Sequence, residues 1–154
     1  MLENAALASL LFATVPQGST CPVTQPNHSR IPASVQTKAQ VGETSEWLYG
    51  NDKIWTYLWP EGTVTFRKNG PGFILRDGSL QMKFLWLLAV DGPLSVSGRR
   101  VDGTAAPLRT DFSPVVGQGF QPSYLIFPTE GCWEVTARAN GSEMTFVTKV
   151  VKTF

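Results

Sequence analysis

The feature that most constrains the fold of this chain is a hairpin signature near its C-terminus. Residues 132–139 and 142–152 are two runs in which apolar and polar side chains alternate, and the dipeptide Asn140-Gly141 separates them. Asn-Gly is the dipeptide most typical of a two-residue type I′ turn between antiparallel strands. The sequence therefore predicts a β-hairpin over residues 132–152.

The register of this hairpin follows from its turn. A two-residue loop places Val135 opposite Phe146 on one face, and Arg138 opposite Glu143 on the other face. The first face is apolar, and the second is polar with matched charges. Because a slip by one residue would send Val135 and Phe146 to opposite faces, we expect a single register.

The chain upstream of the hairpin repeats this pattern of short apolar runs. Turn sequences such as Asp-Gly and Pro-Glu-Gly separate the runs without intervening helical periodicity, which favours antiparallel pairing. The further strand candidates are residues 54–59, 62–67, 79–90, 94–99 and 123–127. About seven short strands in roughly 100 residues are typical of an immunoglobulin-like domain. We therefore predict an all-β, immunoglobulin-like antiparallel β-sandwich over residues 47–154.

The residues before the predicted sandwich have a different composition. Residues 5–15 form an apolar run that is long enough for the core of a secretory signal and too short to span a bilayer, although Glu3 stands where a basic residue is expected. The alternative is an amphipathic helix docked on the domain. Residues 21–46 are rich in Pro, Ser, Thr and Gln and predict an extended linker. We expect a signal-like segment over residues 1–20 and an extracytoplasmic location.

Two cysteines, Cys21 and Cys132, lie far apart in the sequence and outside any Cys-x-x-Cys spacing. This arrangement excludes zinc-ribbon and thioredoxin-like sites. Three alternatives stay open: a disulfide that closes a loop of about 100 residues, a lipid anchor on Cys21 after removal of a leader, and two independent thiols of which Cys132 is a small buried residue.

The charge balance and the absence of known motifs exclude several functional classes. Thirteen basic residues stand against twelve acidic ones, so no net positive field attracts nucleic acid. Sequence motifs of nucleophile elbows, zincins, P-loops and calcium loops do not occur. The single histidine, His28, falls in the predicted linker, where a precise catalytic geometry is rarely kept. We expect no cofactor, no metal and no catalytic activity.

Aromatic residues are the most promising candidates for ligand contact. Trp55, Tyr57 and Trp59 recur with period two, so in a strand their rings project from one face. Such a row either stacks on sugar rings or fills the core of the sandwich, and the core is the more common role. Phe73 and Phe120 lie in Gly- and Pro-rich stretches, 70–73 and 110–122, that we expect to form recognition loops.

Residues 84–90 are apolar at both parities, so the strand that they form buries both of its faces. A two-layer sandwich covers only one face of each strand. The other face is then covered by the N-terminal part of this chain, by a partner protein or by a lipid surface, and cover by the chain itself is the favoured interpretation.

Several segments together resemble a family of uncharacterised bacterial exported proteins or lipoproteins. These segments are LWPEGTVTF at 58–66, DGSLQMKF at 77–84, SGRRVDG at 97–103 and IFPTEGCWEVTAR at 126–138, and CPVTQPN at 21–27 is similar to the start of the mature chain in that family. The segment PTEGCWEVTAR is also similar to the start of strand F in bacterial immunoglobulin-like adhesion domains. The resemblance implies export and a sandwich fold, without a known activity.

These observations favour a non-catalytic, exported binding or protein-interaction module. A carbohydrate-binding module that uses Trp55, Tyr57 and Trp59 is the first alternative, and a hydrolase with an unrecognised acidic site is the second. Expected partners are a protein or a glycan. Contact with a membrane is expected only through a lipid anchor at Cys21.

Overall fold

A computed structural model describes residues 20–112 and 119–154 of the chain. Within these ranges the chain forms ten strands, one short helix and a 3-10 turn at Pro60–Gly62. The elements are α1 (Ala33–Ala39), β1 (Leu48–Gly50), β2 (Ile54–Tyr57), β3 (Thr63–Phe66), β4 (Phe73–Ile74), β5 (Leu80–Leu88), β6 (Ser95–Arg100), β7 (Arg109–Phe112), β8 (Gly119–Phe127), β9 (Gly131–Ala139) and β10 (Ser142–Lys152).

The strands form two sheets that pack face to face. Sheet A has the order β1-β2-β5-β8-β7, with β4 also paired to β5, and sheet B has the order β3-β10-β9-β6. The prediction of an all-β sandwich is therefore confirmed. The prediction that all pairs are antiparallel is wrong at one place, because β3 runs parallel to β10.

The C-terminal hairpin has the predicted register. Ala139 faces Ser142, and Val135 faces Phe146 on the buried side. Both turn residues have positive φ, 44° at Asn140 and 81° at Gly141, as a type I′ turn requires. On the outer side, Arg138 binds Glu143 at 2.7 Å. The local sequence therefore determines this hairpin.

The main core lies between the two sheets and contains alternate residues of each long strand. Phe84, Trp86 and Phe146 are in ring contact near its centre, with centroids 5.9–6.2 Å apart. Trp133 meets Phe127 edge to face at 5.6 Å. Because β5 and β9 place every second side chain in this layer, the period-two pattern of the sequence corresponds to the buried layer.

Residues 21–46, which we name the strap, do not form the extended linker that the sequence predicts. Thr24 N–H donates to Val147 O on β10, next to the part of β10 that pairs with β3, and Asn27 Nδ2 donates to Gly50 O on the edge strand β1 of sheet A. The strap then crosses the outer face of sheet A and forms α1. Residues on the N-terminal side of the predicted boundary near Trp47 therefore pack on the sandwich and bond to it.

The strap covers a second, smaller core on the outer face of sheet A. Ile31 and Val35 from the strap pack there with Leu48, Trp55 and Leu87 from the sheet, and all five side chains are buried. The favoured interpretation of the apolar run at residues 84–90 is therefore confirmed for this half of the face. The predicted signal-like segment, apart from residue 20, lies outside the described residues. Within the two described ranges, no helix combines the length and apolar character needed to cross a membrane.

Candidate functional site

The hydrogen-bond ladder along one edge of β5 is interrupted. Strand β2 pairs with β5 at residues 86–88, and β4 pairs with it at residues 80–81. Between these two pairings, no strand of the described part of the chain pairs with residues 82–84 on this edge. Strand β2 ends at Tyr57 and β4 begins at Phe73, and the nearby Pro60 and Pro71 have no N–H to donate to a ladder. We name this interruption the ladder gap.

The main chain of Lys83 faces the ladder gap. Leu85 stands opposite Pro122 of β8, which lacks an N–H, and the carbonyl of Leu85 accepts a hydrogen bond from Thr56 Oγ1 on the opposite side at 2.9 Å. The main chain of Leu85 therefore faces away from β8. Because main-chain groups of an antiparallel strand point to the same edge at every second residue, the N–H and C=O of Lys83 also point away from β8. They point to the part of the edge where no strand is paired.

A cavity of about 520 Å³ opens at the ladder gap, on the outer face of sheet A. Its walls are almost entirely aromatic or aliphatic, with Lys83 as the one charged residue among the described residues that line it. We name this cavity the aromatic groove and define it by Trp47, Tyr57, Trp59, Phe73, Leu85 and Tyr124.

The polar ends of these aromatic side chains are free for a ligand. Within the described part of the chain, no hydrogen bond engages the phenol oxygens of Tyr57 and Tyr124 or the indole N–H groups of Trp47 and Trp59. No described side-chain nitrogen or oxygen is both buried and unpaired, so these groups reach solvent. Burial raises the pKa of Tyr57 above its ordinary value of 10.0, so its phenol stays protonated and can donate.

The three aromatic residues of the predicted row have different environments. Trp55 is fully buried beneath the strap, where its indole N–H donates to Ser29 Oγ at 3.2 Å. Its side chain is therefore not available to a ligand. Tyr57 and Trp59 are half-buried and line the aromatic groove. The row of three accessible rings is thus not formed, and two of its members belong to a different site.

Of the two predicted loop residues, one belongs to the groove. Phe73 is 59% exposed and forms one wall of the groove beside Gly72. Phe120 of β8 is also exposed, but it pairs with Leu87 of β5 and does not line the groove. Residues 113–118 of the predicted recognition stretch 110–122 lie outside the described residues.

The sequence did not single out Lys83, Leu85 and Tyr124 as site residues. A signal for them exists, because all three have the outward parity of their strands, opposite to buried Phe84 and Leu125. What the sequence could not reveal is that the strap covers one end of this face and leaves these residues open.

Of the three alternatives for the cysteines, the structure contains the disulfide. Cys21 and Cys132 are bonded, with their Cα atoms 5.4 Å apart, and no cysteine is free. The sulfur that a lipid anchor would use is therefore occupied by this bond. The disulfide attaches the first residues of the strap to the outer face of sheet B, where Cys132 is buried.

Asp102 and Asp77 are carboxylates that form ion pairs with neighbouring arginines. Arg100 binds Asp102 at 2.8 Å, and the resulting hydrogen bond, together with one from the N–H of Cys132, lowers the pKa of Asp102. Hydrogen bonds from Ser79, with a further contribution from Arg109, lower the pKa of Asp77. Both groups are thus held ionised, which is the wrong state for a general acid. Among the described residues no cluster of His, Cys, Asp and Glu could hold a metal ion.

Comparison with known proteins yields no family model, no curated protein and no solved structure that matches this chain.

Proposed function

We propose that this chain is a non-catalytic, exported binding module with an immunoglobulin-like sandwich, and that the aromatic groove is its ligand site. The observation that carries the proposal is the combination of an open apolar cavity with unpaired hydrogen-bonding groups at its rim. Ligand sites are concave, mostly apolar and furnished with a few polar groups that orient the ligand. The groove has each of these properties.

The strand order supports the immunoglobulin-like part of the proposal. Immunoglobulin constant-type domains have strands A, B, E and D in one sheet and C, F and G in the other. We match β2, β5, β6, β7, β8, β9 and β10, in chain order, to strands A to G. The order β2-β5-β8-β7 in sheet A then reads A-B-E-D, and the order β6-β9-β10 in sheet B reads C-F-G. The groove then lies on the outer face of the sheet that corresponds to A, B, E and D.

The disulfide supports export. Disulfides persist in oxidising compartments and are rare where thiols are kept reduced. The bond between Cys21 and Cys132 holds the strap to the sandwich, and the strap covers Trp55 and Leu87. In a reducing compartment the strap would lose its disulfide attachment to the sandwich. A protein whose apolar surface is covered in this way is suited to an oxidising environment.

A glycan ligand is the second candidate, because aromatic faces stack well on sugar rings. Trp47 is 36% exposed at the groove, and Trp59 and Tyr57 are partly accessible there. Against this candidate, sugar hydroxyls donate as well as accept hydrogen bonds. Among the described side chains that line the groove, the phenol oxygens of Tyr57 and Tyr124 can accept them, but there is no carboxylate and no carboxamide.

The proposal is tested by comparing the binding of wild-type protein and a groove variant to a glycan array and a peptide array. We expect the wild type to bind members of one array and Tyr124→Ala to lose this binding. Phe154→Ala is the matched control, because Phe154 is exposed and lies outside the groove. If no member of either array is bound in a way that depends on Tyr124, the groove is not the ligand site and the proposal is wrong.

A further inference from the structure

We infer that the ligand of the aromatic groove is an extended peptide segment of a partner protein, whose main chain pairs with Lys83 in the ladder gap. This inference rests on the proposed function and specifies its ligand. It rests on the position of the Lys83 main chain, which no described strand pairs with on this edge of β5, at the floor of a groove with aromatic walls.

The first step concerns the hydrogen bonds of Lys83. Main-chain N–H and C=O groups in a sheet are almost always paired with another strand, a side chain or water. The N–H and C=O of Lys83 face the edge where neither β2 nor β4 is paired to β5. In an antiparallel ladder, one residue of the incoming strand exchanges both hydrogen bonds with its partner, its N–H donating to the partner C=O and its C=O accepting from the partner N–H. An incoming extended peptide therefore satisfies both groups at once.

The second step concerns space. Residues 81 and 85 of β5 bound the gap, and four residues of strand span about 13 Å. The gap accordingly admits about three residues of an extended peptide, which enter and leave across the open outer face of sheet A. This is strand addition of the kind that other peptide-binding domains use at a free sheet edge. Here the free edge lies inside the sheet, so the peptide completes the row between β2 and β4.

The third step concerns the side chains of the ligand. The walls offer aromatic faces and several groups that can donate hydrogen bonds: the indole N–H groups of Trp47 and Trp59, the phenols of Tyr57 and Tyr124, and the ammonium group of Lys83. Carbonyl groups of a peptide are the complementary acceptors. Proline fits especially well, because its ring packs on aromatic faces and it brings a carbonyl without an N–H. The favoured ligand is an extended segment in which apolar or proline residues flank the residue that pairs with Lys83.

The test begins with a library of short random peptides displayed on phage. Peptides are selected on wild-type protein and counter-selected on Tyr124→Ala, after denaturation has shown that this variant is folded. We expect enriched sequences with apolar or proline residues. Each position of an enriched peptide is then N-methylated in turn, since N-methylation removes one main-chain donor. At one position we expect binding to weaken about tenfold, as expected for the loss of a hydrogen bond that leaves its partner unpaired.

A second measurement locates the pairing on the protein. Saturation with the enriched peptide should slow hydrogen exchange of the Lys83 amide, while the amide of Thr104, in an exposed loop outside the groove, keeps its rate. Peptides that bind but tolerate N-methylation everywhere and leave Lys83 exchange unchanged overturn the inference. Groove-dependent binding to glycans alone also overturns it and leaves the proposed function standing. Loss of both kinds of binding removes both proposals.

Discussion

The outer face of sheet A has two halves that differ in their cover. Strands β2 and β5 pass through both halves. Trp55 and Leu87 lie in the covered half and are fully buried. Tyr57 and Leu85, each two residues away along the same strands, lie in the aromatic groove. All four residues are large and apolar and project from the same face. The strap covers only the first pair. The difference teaches that the role of an outward apolar residue here depends on a remote segment of the chain.

The outer face of sheet B, apart from the buried Cys132 of the disulfide, carries paired charged and polar side chains. Arg99 binds Glu134 and Arg138 binds Glu143 across neighbouring strands, and Thr136 bonds with Thr145. Such a face is stable in water. An apolar outer face is therefore peculiar to sheet A, and its uncovered half is the surface where a ligand would bury most apolar area.

The largest effect is expected for Trp55→Ala in the covered half. Removing a fully buried indole and leaving a cavity should lower the free energy of unfolding by about 3–5 kcal/mol. Tyr124→Ala, in the open half, should cost less than about 1 kcal/mol because its side chain is only partly buried. Urea denaturation of both variants measures the difference. Equal losses would show that the two halves are equally part of the core.

Loss of the disulfide should have the next largest effect. Replacing Cys21 and Cys132 together by serine should lower the free energy of unfolding by about 2–5 kcal/mol, because the unfolded chain is no longer constrained by a long loop. Without this bond the strap opens more often, so iodide should quench more of the tryptophan fluorescence, chiefly that of Trp55. Reduced wild-type protein serves as the control and should behave in the same way. Unchanged quenching would mean that the rest of the strap holds without the bond.

A smaller effect is expected for Gly50→Ala, next to Trp55 in the covered half. A Cβ atom at this position would lie 2.1 Å from the indole ring of Trp55, so Gly50→Ala must displace that ring. We expect a loss of about 1–3 kcal/mol in denaturation experiments. Gly42→Ala is the matched control, because its Cβ would meet only Thr44 O at 3.7 Å. A neutral Gly50→Ala would show that the ring of Trp55 can move within the second core.

The smallest effect concerns the boundary between the halves, where Tyr57 packs partly against the second core. Burial raises the pKa of Tyr57 in the folded protein above 10.0, so the folded state binds more protons than the unfolded state at alkaline pH. This contribution to stability is complete below pH 10.0 and is lost as the pH rises through the folded pKa. Tyr57→Phe should reduce the alkaline fall in the free energy of unfolding. An identical pH profile in wild type and variant would contradict this reason.

The elements that the sequence predicts well are those whose partners are close in the chain. The hairpin of β9 and β10 is determined by Asn140-Gly141 and by alternation on either side, and all of its contacts are local. The predicted strands at 79–90 and 123–127 also correspond to β5 and β8. Their alternation identifies Phe84 and Leu125 as inward residues, because a sheet with one buried face sorts side chains with period two.

The strap could not be predicted from its own composition. Residues 21–46 contain few large apolar side chains, and its order depends on hydrogen bonds to Val147 and Gly50 and on the disulfide to Cys132. Each of these partners is distant in sequence. Composition reports the tendency of a segment in isolation, whereas the strap is stabilised by the surface on which it lies.

The sequence by itself determined the all-β class, the C-terminal hairpin with its register, and the inward side of the long strands, since these depend on local turns and on a period of two. Only the tertiary structure decided which outward aromatic residues are buried and which are open, and where the ladder of β5 is interrupted. The physical reason is that both outcomes depend on contacts between segments far apart in the chain. Trp55 and Tyr57 have the same parity in the same strand, and the strap alone places them in different environments.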